Sequence, residues 1–96
     1  MEEQARKIAE LLKLLANEHR LLILCALMKE PLTVGQIHDH PPGISGSALS
    51  QHLGQLKNAG ILDSEKQGMN VRYWIRDERI LPLMGALKEQ YCTEAP

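Results

Sequence analysis

Ninety-six residues, 44 % of them hydrophobic and none of them phenylalanine, allow one small domain over residues 1–96 with a core of aliphatic side chains. No apolar run reaches membrane-spanning length and the charged N-terminus lacks a secretory pattern, so a cytoplasmic location with no membrane partner is expected, and both cysteines should rest as thiols. The formal net charge of −1 lacks the basic excess common in nucleic-acid binders, so any DNA-facing positive potential must come from local placement of Lys57, Lys66, Arg72 and Arg76.

In chain order, Ile8, Leu11, Leu12 and Leu15 form one apolar stripe over residues 3–16, with Arg6, Lys7, Glu10 and Lys13 elsewhere, which predicts an amphipathic helix. Asn17 is placed to cap a second helix from about Glu18 to Lys29. That helix is apolar nearly all round, through Leu21, Leu22, Ile23, Leu24, Ala26, Leu27 and Met28, which predicts a central position; Pro31 ends it. Thr33 can cap a third helix from Val34 to about His40, and Pro41-Pro42-Gly43 breaks the chain after it.

The stretch Ser45 to Leu62 carries the most information. Leu49, Leu53 and Leu56 recur at helical spacing and anchor one face in a core. The other face carries Ser47, Ser50, Gln51, His52, Gln55 and Lys57, hydrogen-bonding groups with almost no charge. Such a helix suits a DNA major groove, where base edges offer donors and acceptors. Gly60 stops it. Leu62–Lys66 and Val71–Arg76 then read as extended, with Gln67-Gly68-Met69-Asn70 as the turn between them. Val71, Tyr73 and Ile75 alternate with Arg72, Trp74 and Arg76, which turns Trp74 away from the core, to cover a neighbouring helix or to meet the DNA backbone or a partner. A hairpin directly after a recognition helix is a wing. Finally, Ile80, Leu83, Met84, Leu87 and Tyr91 define a last amphipathic helix, provided that Pro82 falls in its first turn.

The expected fold is therefore mainly α with a small β-hairpin, a winged helix-turn-helix of four helices, two strands and a closing helix. The apolar stripes of the two terminal helices exceed what so small a core needs. A two-fold homodimer would bury both stripes and present two recognition helices together, whereas packing on their own domain is the plainer and less economical alternative.

The segments L-A-N-E-H-R-L-L-I-L, L-T-V-G-Q-I, S-A-L-S-Q-H-L-G-Q-L-K-N-A-G-I-L and V-R-Y-W-I, in this order, resemble the ArsR/SmtB family of winged-helix repressors over roughly Ala5 to Cys92. The resemblance implies a dimeric repressor that leaves a double-stranded DNA operator when an inducer arrives. One departure is Pro41-Pro42-Gly43, which makes the link into the recognition helix slightly long. The family's cysteine-based metal site falls on Leu32-Thr33-Val34-Gly35, without a thiol, and its last-helix site on Asp77-Glu78-Arg79, Gln90 and Thr93, where a cation replaces a ligand. No metal and no cofactor are expected.

Cys25, within L-I-L-C-A-L, and Cys92, closing Q-Y-C, are the only cysteines, and both contexts resemble the HlyU/BigR-like branch of the family. That resemblance implies sensing of oxidants or reactive sulfur through a disulfide or polysulfide link. Two thiols in bridging range form a reversible two-state element, whereas a buried cysteine alone is commonly a small hydrophobe. Arg20 or Lys88 is a candidate neighbour for lowering a thiol pKa.

In the mechanism these readings define, Ser45, Ser47, Ser50, Gln51 and His52 touch base edges or phosphates, and Gln55 and Lys57 extend the contact. Wing residues Lys66, Asn70 and Arg72 meet the backbone or the adjacent minor groove. Linking Cys25 to Cys92 pulls the last helix against the central one, changes the half-site spacing and lowers DNA affinity. Three rivals are weighed against this. A thiol oxidoreductase, the enzyme alternative, lacks a C-x-x-C motif and a second catalytic group. A winged-helix protein-interaction module is compatible with the near-neutral charge. A metal-responsive repressor would need a non-standard histidine site: His38 and His40 flank Asp39, a spacing that diverges on a helix and converges only in a loop. His19 reads as a surface or interface histidine, and His52 as facing DNA or the neighbouring helix.

Overall fold

Local capping signals divide the first half of the chain into helices. In the computed structural model, which describes residues 1–39 and 43–92, helix α1 (Glu2–Leu15) hands over to α2 (Glu18–Leu27) at Asn17. The Asn17 side-chain oxygen accepts from the backbone N–H of His19 at 2.9 Å and of Arg20 at 3.2 Å, satisfying two donors that the helix start leaves free. After Pro31, strand β1 (Leu32–Thr33) leads into α3 (Val34–His38) through a capping box. In it the Thr33 hydroxyl accepts from the Gln36 N–H at 3.2 Å, and the Gln36 amide oxygen accepts from the Thr33 N–H at 2.9 Å.

Helix α4 (Gly46–Asn58) begins at Ser45, whose hydroxyl accepts from the Ala48 N–H at 3.1 Å. Its end is built by Gly60, at φ +80°: the Gly60 N–H reaches the Lys57 carbonyl and the Ile61 N–H reaches that of Leu56, closing a Schellman motif. Strands β2 (Leu62–Gln67) and β3 (Asn70–Ile75) form the wing. Gln67 pairs with Asn70, so the turn is Gly68-Met69 with only Gly68 at positive φ, the arrangement of a type II′ turn. Helix α5 (Ile80–Tyr91) closes the chain, and Pro82 lies in its first turn, where no N–H is required. No described helix is long and apolar enough to cross a membrane.

Three details differ from the sequence reading. The sheet has three strands in the order β1-β3-β2, all antiparallel, because Leu32 pairs with Tyr73 and Thr33 with Arg72. Two residues are too few to show an alternation, so β1 has no signature of its own. Helix α2 ends at Leu27, and α3 ends at His38 with Asp39 as its cap; His40 and the Pro41-Pro42 step lie outside the described residues. Although α2 supplies buried Ile23, Leu24 and Leu27, it is not wrapped on every side, since Leu22 is 43 % exposed.

The core lies where α2, α3 and α4 meet the sheet. Leu49, Leu53 and Leu56 of α4 sink into it beside Ile37, Ile61 and Leu62, while Ile80 and Met84 of α5 close one side. Tyr73 and Ile75 pack against this cluster from β3, and Trp74 stays outside it, as strand alternation requires. The terminal helices are only partly covered: α1 buries only Leu15 among its described side chains, leaving Ile8 and Leu12 about half exposed, and beyond Ile80 and Met84 the α5 side chains Leu81, Leu87 and Tyr91 are exposed.

Candidate nucleic-acid interface and thiol pair

With its leucines fixed below, α4 presents Ser47, Ser50, Gln51 and Gln55 to solvent. Ser45 stands at the same end, but its hydroxyl is spent on the cap and lies 3.3 Å from Ser47 Oγ. Lys57, in the last turn, extends its ammonium to Ser64 Oγ on β2 at 2.7 Å, a bond that ties the helix to the wing. Lys66 and Asn70 are exposed beside the wing turn. Arg72 sits further in, on the central strand opposite Glu65, and its guanidinium lies 5.9 Å from the centre of the Trp74 ring. This cation–π contact holds Arg72 on the outer face of the sheet and gives Trp74 a role as its platform. The Lys57–Ser64 bond thus joins α4 to the wing, and Arg72 lies nearer the middle of the central strand than the wing tip.

Sequence reasoning missed the part of Arg20. Its Nε–H donates to His52 Nδ1 at 3.0 Å, one terminal nitrogen donates to the Leu14 carbonyl at 2.9 Å, and the other donates to Gln55 Oε1. One guanidinium thereby joins the end of α1, the start of α2 and the middle of α4. Burial, then the Arg20 charge, then His19 hold His52 below the ordinary imidazole pKa, so the ring is neutral at neutral pH. His19 stacks at a tilt, 5.9 Å between ring centres, with its Nδ1 sealed from water and unpartnered. The available signal was the Asn17 cap: it fixes the first turn of α2 and therefore the direction in which Arg20 leaves it.

Cys25 is half-buried and Cys92 exposed; both are free thiols. Cys25 lines a surface cleft of about 280 Å³ together with Leu22, Ala26, Leu32, the two lysines Lys29 and Lys88, and Glu30. Cys92 follows one helical turn after Lys88, and its backbone N–H bonds the Lys88 carbonyl at 2.9 Å. Of the two cations considered as thiol neighbours, Arg20 is turned toward α4 and Lys88 shares the cleft with Cys25.

Residues 17–64 match the family model described as "Bacterial regulatory protein, arsR family". The chain is similar to HlyU from Vibrio cholerae, described as a transcriptional activator: the reduced form of that protein superposes with a TM-score of 0.87 at 36 % identity, covering 97 % of both chains. The transcriptional repressor BigR from Xylella fastidiosa gives 0.88 at 31 % identity, covering 98 % of this chain and 95 % of that one. A homodimeric winged helix-turn-helix DNA-binding domain, Mb0332 from Mycobacterium bovis, gives 0.78 at 26 % identity over 93 % and 82 % of the two chains.

The chain belongs to the ArsR family. Its fold is the winged helix-turn-helix of these neighbours, and its likeness to HlyU and BigR places it beside that branch.

Two positions in this ArsR-family chain bear on metal binding. Both oxygens of Asp77 are occupied by Arg79: Oδ1 accepts from its backbone N–H at 3.1 Å and its Nε at 2.9 Å, and Oδ2 from a terminal nitrogen at 2.8 Å. Those bonds hold the Asp77 carboxyl below its usual pKa and make it a partner for a guanidinium. His38 spends Nε2 as a donor to the Ile44 carbonyl at 2.8 Å, bracing the link between α3 and α4. Among the described residues no three of the side chains His, Cys, Asp or Glu converge as a metal site would require; His40 lies outside those residues.

Proposed function

We propose that this protein is a sequence-specific DNA-binding transcriptional repressor, acting as a homodimer, whose release from DNA is controlled by Cys25 and Cys92. The observation that carries the DNA reading is α4 itself. Its apolar side is wholly buried at Leu49, Leu53 and Leu56, while Ser47, Ser50, Gln51 and Gln55 form an exposed, uncharged hydrogen-bonding edge beside a wing that supplies Lys66, Asn70 and Arg72. An edge of that chemistry matches the donors and acceptors of the major groove. Dimerisation is supported by the bare apolar side chains of α1 and α5, by a cleft of about 530 Å³ between them lined by Ile8, Leu11, Leu14, Ile80 and Leu83, and by the homodimeric Mb0332 domain. Closing α1 and α5 against a second copy would set two α4 helices about one DNA turn, roughly 34 Å, apart.

For the switch, the support is that Cys25 and Lys88 share one cleft, that Cys92 follows one turn after Lys88, and that HlyU is described in a reduced state. With peroxide, the two thiols lose two protons and two electrons to form a disulfide, and peroxide is reduced to two waters. With a sulfane-sulfur donor, one thiolate takes a sulfur atom to become a persulfide and the donor leaves as a thiol. Attack by the second thiol then expels hydrosulfide and forms the disulfide. Alternatively a second donor accepts the two electrons, releasing its thiol and hydrogen sulfide, and a trisulfide bridges the cysteines. Either bridge draws α5 toward α2 and, because α5 also faces the partner, changes the distance between the two α4 helices.

Gel-shift titrations test this on a duplex selected by the reduced protein from a random pool, before and after peroxide or polysulfide. Wild type is expected to release the duplex and to show the linked mass by mass spectrometry, while Cys25→Ser and Cys92→Ser stay bound. Release of the double variant on the same treatment refutes the dithiol switch. Absence of any selected sequence refutes the repressor.

A further inference from the structure

We propose that Arg20 sets the hydrogen-bonding polarity of the recognition helix, turning His52 and Gln55 into outward-facing donors that select base edges bearing acceptors. The inference rests on α4 reading DNA and adds which end of each side chain does the reading.

A guanidinium carries donors only, so every atom it bonds must accept. His52 Nδ1 faces the Arg20 Nε–H at 3.0 Å and therefore carries no proton; the neutral ring must hold its proton on Nε2. Gln55 turns Oε1 to Arg20, which leaves its NH₂ as the free end of the amide. Residues 52 and 55 are one turn apart on the same face of α4, so the two donors stand side by side. His52 Nε2 has no partner among the described residues and is not sealed from water, and Gln55 is exposed, so both donors are available to a ligand. Arg20 is itself held by the Leu14 carbonyl and by the Asn17 cap at its own backbone N–H. The polarity is imposed from α2, outside the interface.

Left alone, a neutral histidine exchanges tautomers and an amide flips, so each reads donors and acceptors alike. Held by Arg20, both present N–H. Guanine N7 and O6, adenine N7 and thymine O4 accept from them; the cytosine amino group does not. The ionisable groups facing His52 are Arg20 and His19, both on α2, and Arg20 forms no ion pair with a carboxylate among the described residues. Protonating His52 would set an N–H against the Arg20 Nε–H and break the clamp.

Two measurements test the inference. In ¹⁵N-histidine spectra of the free wild-type protein at neutral pH, His52 is expected as the Nε2–H tautomer, with Nδ1 as acceptor. In the second, wild type and Arg20→Met each select duplexes from a random pool, and affinities are compared when single guanines are replaced by 7-deazaguanine, which lacks the N7 acceptor. Wild type is expected to lose about five- to tenfold at one guanine of each half-site, the value of a lost hydrogen bond. In Arg20→Met that loss shrinks toward none while the salt dependence of binding stays the same. A proton on His52 Nδ1, or an Arg20→Met protein that selects the same sequence with the same guanine penalties, overturns the inference alone. Failure of wild type to enrich any sequence overturns the DNA-reading function and this selectivity with it. The spectrum of the wild-type protein needs no variant, so poor folding of Arg20→Met leaves the proposal refutable.

Discussion

Replacing Lys66 with alanine isolates one wing cation. Lys66 is exposed, pairs in register with Val71 next to the turn, and forms no ion pair among the described residues, so its removal costs the fold little. Each phosphate neutralised on duplex DNA contributes about −0.9 to the slope of log affinity against log salt. If Lys57, Lys66 and Arg72 each meet one phosphate in both protomers, the wild-type slope is about −5.4 and that of Lys66→Ala about −3.6. Raising salt from about 50 to about 200 mM then lowers the affinity of wild type about 10³-fold and that of the variant about 10²-fold. Fluorescence anisotropy with a labelled selected duplex at four or more salt concentrations reads both slopes. With a net charge of −1, none of this attraction can come from the molecule as a whole. A flat wild-type slope, or an unchanged slope in Lys66→Ala, would refute the placement of the wing on the backbone.

The two faces of α4 should separate under mutation. Leu53→Ala removes a side chain that is 1 % exposed and should cost about 3 kcal/mol in urea denaturation, whereas Gln51→Ala should stay within about 0.5 kcal/mol and weaken DNA binding instead; equal stability losses would contradict the assignment of faces. Leu12 is 51 % exposed in the single chain, so Leu12→Glu should leave folding intact yet shift sedimentation from dimer to monomer, and a variant that stays dimeric removes α1 from the interface. Because His52 titrates below its ordinary value, the unfolded chain takes up its proton first. Stability should therefore fall as pH drops through about 6.5 and level off below the folded-state pKa, and His52→Asn should flatten that part of the profile. The Asp77 contribution, depressed by Arg79, is lost only in the more acidic carboxylate range, so urea midpoints collected between about pH 7 and pH 5.5 keep the two apart.

What the amino-acid sequence determined by itself was everything set by neighbours along the chain. The leucine spacing of α4, the caps at Asn17 and Thr33, the Gly60 stop and the alternation of Val71 to Arg76 each follow from backbone geometry over a few residues, and each could be read directly. Tertiary structure alone decided which distant groups meet. Strand β1 exists only because Tyr73 and Arg72 lie beside Leu32 and Thr33; two residues carry no period to announce it. Ser45, chosen from its chemistry as a DNA contact, turned out to spend its hydroxyl on the helix cap, a choice that depends on where the helix begins. Arg20, which the linear pattern offered only as a candidate thiol neighbour, reaches His52 and Gln55 on another helix, since a long side chain finds its acceptors across the packed interface. Packing likewise decided that Lys88, and not Arg20, would share a cleft with Cys25, and that Leu15, Ile80 and Met84 of the terminal stripes would be buried while Ile8, Leu12, Leu87 and Tyr91 stay exposed within one chain. Local periodicity says which face of a helix is apolar, and only the assembled core says what that face touches.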